Sequence, residues 1–146
     1  MAILEIGIIK GGVPLIAKQY YKEHKINVNP VLRGGFLSGL NTFIEQTFSS
    51  DIESFIMKNF KMVFLTHQLN DSNRTKLIIY CIGDKNLEIQ MARKALTKVV
   101  DAFTNKYGNL ENFKGDLTIF KEFQRVIDDI LGDLIRKPDD RVRSVF

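Results

Sequence analysis

The residues that could do chemistry are few and poorly placed for it. Two histidines occur, His24 in a polar connection and His67 between Thr66 and Gln68 in a strand-like run. A nucleophilic triad needs a histidine oriented by a carboxylate, and no sequence spacing pairs either histidine with one. Paired carboxylates stand at Asp128-Asp129 and Asp139-Asp140. Adjacent residues of a helix point in different directions, so the first pair reads as a solvated helix face. The second lies among Arg136, Lys137, Arg141 and Arg143, in a charge-balanced tail. Cys81 is the single cysteine and sits in the apolar run Lys76 to Ile82, where it reads as a small buried hydrophobe. One cysteine and two scattered histidines argue against a structural zinc site. A phosphate loop needs a glycine-rich turn between strand and helix with a lysine and a hydroxyl at fixed spacing. Lys10-Gly11-Gly12 lies between two strands, and Gly34-Gly35-Phe36-Leu37-Ser38-Gly39 carries no lysine. No catalytic, cofactor-binding or metal-binding residue is therefore assigned, and the expectation is a non-enzymatic protein with no cofactor.

The surrounding elements are easier to read. At 146 residues the chain is about one domain long and can bury a core without staples. Its 45% hydrophobic content places it among globular rather than disordered chains. Residues 2–10 and 14–21 are rich in β-branched and aromatic residues and flank Gly11-Gly12-Val13, which reads as a β-hairpin. The first strand is apolar on both sides and should be covered on both. From Val31 the period changes: Leu32, Phe36, Leu37, Leu40, Phe43, Ile44 and Phe48 are expected to line the buried side of a helix. Gly34, Gly35 and Gly39 each cost a helix about 1 kcal/mol against alanine, so they imply a helix lying close to a sheet.

Three strand-like runs follow, Glu53–Asn59, Lys61–Leu69 and Thr75–Ile82, with short connections that make them antiparallel neighbours. Asp84 is expected to cap a helix over 85–106, whose Leu87, Met91, Ala95, Val99 and Phe103 recur every four residues. Asp116 is expected to cap a last helix carrying Phe120, Phe123, Ile127, Ile130 and Leu134. Ala2–Ile9 has no basic leader and carries Glu5, and no run approaches the ~18 apolar residues of a membrane span. A cytoplasmic location follows as the expectation. The net charge of +4 is too mild to predict nucleic-acid binding, and no nucleic-acid motif occurs.

The order strand, strand, helix, three strands, two helices resembles the longin domain. Two segments carry the likeness: Gly11-Gly12-Val13-Pro14-Leu15-Ile16 leading into Tyr20-Tyr21, and Leu32 through Phe43. The second is similar to the first helix of stand-alone longin-like proteins, including those of archaea related to eukaryotes. The likeness covers residues 1–136, leaving 137–146 as a polar tail. It implies an α/β (α+β) fold: a five-stranded antiparallel sheet with one helix on one face and two on the other. An opening strand, rather than an opening helix, separates this order from the roadblock domain.

The resemblance further implies a protein-interaction module that dimerises, with another longin or a roadblock domain, and docks a small GTPase or a membrane-trafficking partner. Membrane contact would be peripheral at most. Exposed sheet edges invite such pairing. The apolar segment containing Phe60, Met62 and Phe64, the first-helix face, and the basic helix residues Arg93, Lys94 and Lys98 are the contact candidates. The alternative is a small-molecule or nucleotide-sensing regulatory domain, which would need a pocket with convergent polar groups.

Overall fold

A computed structural model describes residues 3–20, 30–49, 53–70, 74–108, 110, 113 and 115–132. The elements are β1 (Ile3–Lys10), β2 (Val13–Gln19), α1 (Pro30–Phe48), β3 (Ser54–Ile56), β4 (Phe60–Gln68), β5 (Lys76–Asp84), α2 (Ile89–Tyr107), a 3-10 turn (Leu117–Phe120) and α3 (Phe123–Leu131). The five strands form one antiparallel sheet in the order β2-β1-β5-β4-β3. The expected architecture is present. The tail 137–146 and His24 lie outside the described residues.

β1 and β5 occupy the middle of the sheet, and both are buried along nearly their whole length. Strands covered on both faces have no need to alternate, which is why their sequences read as continuous apolar runs. Alternation of side chains sends Ile6, Ile8, Ile79, Cys81 and Leu77 to one layer and Ile9, Ile78, Tyr80 and Ile82 to the other. The first layer is the larger. It holds α2 residues Ala92, Leu96, Val99 and Phe103 together with Phe120, Phe123, Ile127 and Leu131. The second layer contains Leu37 of α1 with Ile9, Phe64, Ile78, Tyr80 and Ile82.

Irregular pairing explains two departures from strict alternation. The β1–β2 register slips between Ile8 and Ile9, where Ile8 faces Ile16 and Ile9 faces Pro14. Leu15 and Ile16 therefore both enter the larger layer. A second slip against β5, between Ile3 and Glu5, puts Ile3 in that layer as well.

The helix boundaries correct the caps read from the sequence. Asp84 ends β5, and its carboxylate accepts the backbone N–H of Asn86 at 3.0 Å, forming a turn. α2 begins four residues later than expected, with Glu88 at its N-cap position and no side-chain cap. Lys61 donates to the Leu87 carbonyl at 3.1 Å and so ties this turn to β4. Asp116 does cap, but it caps the 3-10 turn: it accepts the Thr118 amide at 3.0 Å and the Thr118 hydroxyl at 2.7 Å. These bonds hold the Asp116 carboxyl below the usual carboxylate range. β3 is shorter than its sequence run, because Met57 N–H bonds Phe60 O at 2.8 Å and closes the turn early.

Asp128 corrects another expectation. It is a clamp rather than a solvated face. Lys18 of β2 reaches one of its oxygens at 2.6 Å, and the Tyr20 hydroxyl donates to the other at 2.7 Å. α3 is thereby pinned to the edge strand. Burial first, then the bond to Asp128 and its negative charge, push the Tyr20 phenol far above its ordinary value of 10.0.

A raised folded-state value stabilises the fold below the unfolded pKa and ceases to do so as pH rises past it. Stability is therefore expected to fall more steeply above pH 10.0 in the native chain than in Tyr20→Phe. Urea melts on either side of that pH check it, and parallel slopes for the two proteins would contradict the clamp.

Candidate protein-interaction surface

α1 is nineteen residues long and carries only Arg33 and Glu45 as charged residues. Its apolar side chains are distributed around most of its circumference, so no single face could take them all inward. The sheet takes Gly34, Leu37 and Asn41, and half-buries Leu40 and Ile44. Leu32, Phe36 and Phe43, spaced four and seven apart, form one stripe on the opposite side. Their exposures are 69%, 64% and 59%. Val31 and Phe48 are also exposed. The expected buried stripe is thus split, with four of its seven members facing outward.

The glycines follow the same division. Only Gly34 marks a close approach: a Cβ there would stand 2.8 Å from the Gly12 carbonyl oxygen. Gly35 and Gly39 face open space, beside Leu32, Phe36 and Phe43. The close contact inferred from three glycines is therefore made by one of them, at the β1–β2 turn.

A second apolar area lies at the far edge of the sheet. Phe55 of β3 pairs with Met62 of β4, and Met57 follows across the turn from Phe60. Phe55, Ile56 and Met57 are exposed, and Phe60 and Met62 are half-buried. Met62 and Phe60 pack onto the smaller core layer, so they and Phe55 share the α1 side of the sheet, whereas Ile56, paired with Lys61, faces the other side. α1 itself packs chiefly on β2, at the opposite edge.

The contact candidates divide as follows. Phe60 and Met62 contribute to this surface. Phe64, 1% exposed, is core and offers no surface. Arg93 is half-buried, and its guanidinium donates to the Phe64 carbonyl at 2.7 Å, bracing α2 against β4. Lys94 and Lys98 stand exposed on the outer side of α2. Lys106, farther along, pairs with Glu122 at 3.3 Å. The basic residues of α2 thus do different jobs, and only part of the set faces solvent freely.

Glu5 was not singled out by its sequence context. It is fully buried on the α1 side of β1, directly across from Gln19. Gln19 donates to one of its oxygens at 3.0 Å and the Tyr80 hydroxyl to the other at 2.7 Å. Donors on both oxygens meet the need of a buried carboxylate for partners inside a core. A lone glutamate in a β-branched run signals such a position only weakly. Cys81 is fully buried, and burial pushes its thiol up to about 12. His67 is half-buried on β4. Among the described residues no three His, Cys, Asp or Glu side chains gather into a metal-binding group. No helix among them is long and apolar enough to cross a membrane.

No protein-family model matches the chain, and no curated protein matches it.

Proposed function

We propose that this chain is a non-enzymatic interaction domain of the longin kind, cytoplasmic and at most peripheral to membranes. It pairs with a second copy or a related domain through the outer face of α1, and the resulting platform docks a small GTPase or another trafficking partner. The observation that carries the reading is the exposed stripe of Leu32, Phe36 and Phe43 on a nearly uncharged helix. Large contiguous apolar areas are uncommon on monomers and mark association sites. Each such side chain gains about 1.5–3 kcal/mol when fully covered. The element order and the five-stranded sheet with helices on both faces support the longin likeness.

Light scattering on the eluting protein tests the pairing. The native chain is expected to run as a concentration-dependent dimer and Phe36→Glu/Phe43→Glu as a monomer that melts at the temperature of the native chain diluted to its monomeric range. Both positions are exposed, so loss of folding is not expected from the substitutions. A native chain that stays monomeric at all concentrations, and retains no trafficking GTPase in either nucleotide state, would remove the basis for this function.

A further inference from the structure

A cavity of about 310 Å³ opens where the β1–β2 turn meets the segment before the 3-10 turn. Leu15, almost wholly buried in the larger core layer, reaches it from below. Phe113 and the exposed side chains of Val13 and Leu117 form apolar walls. Lys10 and Thr75 stand at its polar margin. Gly11 and Gly115 also border the space, both in the left-handed region and with open space where a Cβ would be. No side chain therefore closes the opening at those two points.

The lysine is placed to act on an occupant. Its ammonium lies 5.9 Å from the centroid of the Phe113 ring, the same ring that forms a cavity wall. Among the described residues no carboxylate pairs with Lys10. One cation among the described residues, beside apolar and aromatic walls, matches a ligand with one negative charge and an apolar body. A nucleotide or other polyphosphate would need several cations or a nest of amides, and among the described residues the margin offers one cation. The volume lies at the lower end of the range for small-molecule sites, which disfavours a folded protein element.

We propose that this cavity binds a small amphiphilic monocarboxylate, with its chain or ring against Leu15, Phe113 and Leu117 and its carboxylate on Lys10. This site is separate from the α1 face and stands whether or not α1 mediates pairing. Octanoate and its neutral counterpart octanol serve as probes of the full chain, followed by titration calorimetry and by backbone and methyl NMR. Octanoate is expected to shift the resonances of Lys10, Leu15, Phe113 and Leu117. Lys10→Met, which keeps the apolar stem, is expected to weaken octanoate about tenfold and leave octanol unchanged. Leu117→Asp, at an exposed position that tolerates a polar residue, is expected to weaken both. The site would be refuted if octanoate left those four residues unshifted, or if Lys10→Met bound it as tightly as the native chain.

Discussion

Gly7→Ala is expected to destabilise the protein by about 3 kcal/mol, a large effect for a single methyl group. Gly7 is paired with Tyr80 across β1 and β5, and the tyrosine ring lies directly over it. A Cβ at residue 7 would stand 2.4 Å and 2.6 Å from ring carbons and 2.6 Å from the hydroxyl oxygen. Tyr80 is buried and cannot swing outward, and its hydroxyl is committed to Glu5. Overpacking costs about 1–3 kcal/mol. Displacing the hydroxyl weakens a bond to a buried carboxylate, a further 1–3 kcal/mol or so. Against this, alanine gains only about 0.5–1 kcal/mol over glycine in a strand. Urea denaturation measures the sum. Tyr80→Phe removes the hydroxyl alone and separates the polar share from the steric one. A Gly7→Ala protein as stable as the native chain would show that the ring does not lie there.

The second large effect is expected at Phe103, where truncation to alanine should cost about 3–5 kcal/mol. Phe103 is fully buried near the end of α2 and lies 4.9 Å from Tyr107, 5.5 Å from Phe120 and 5.4 Å from Phe123, centroid to centroid. Its ring therefore joins α2, the 3-10 turn and α3. Its loss leaves a void bordered by three elements, and the surrounding rings cannot collapse into it without moving the backbone. Tyr107→Ala is the internal comparison. Its ring meets the same partners but is only half-buried, and its hydroxyl bonds the Ile119 carbonyl at 2.9 Å. It should cost clearly less. Equal losses at the two positions in thermal or urea melts would mean that burial does not rank these rings.

The order of elements was readable because period and punctuation agree along most of the chain. The run from Leu77 to Ile82 has no helical period, and Gly11-Gly12 can only turn between such runs. Of the residues that recur every four, Leu87, Ala95, Val99 and Phe103 are buried, whereas Met91 is 39% exposed, because α2 turns its inner side to Ala92 and Leu96 instead. α1 resisted the same reading. Apolar residues on several sides leave period unable to tell inside from outside, and glycines in one helix can have unlike surroundings. A side chain at Gly34 would run into the hairpin turn, while one at Gly35 or Gly39 would point into open space.

Contacts between distant residues were the other hidden part. Lys18 and Asp128 are joined over a separation of 110 residues, and Glu5 and Tyr80 over 75. No local pattern announces either. Asp84 misled because a short acidic side chain can turn a loop as well as start a helix. For the α1 surface, composition was visible and orientation was not: Leu32, Phe36 and Phe43 were evident as large apolar residues, but their outward direction depends on which few neighbours dock on β2.

The unequal layers on the two faces of the sheet place most of the buried apolar mass on one side. α2 and α3 cover the larger hydrophobic mass, whereas α1 commits only a narrow inner strip to the sheet. Substitutions among the outward residues of α1 can therefore change the surface of that helix while leaving the folded scaffold nearly indifferent.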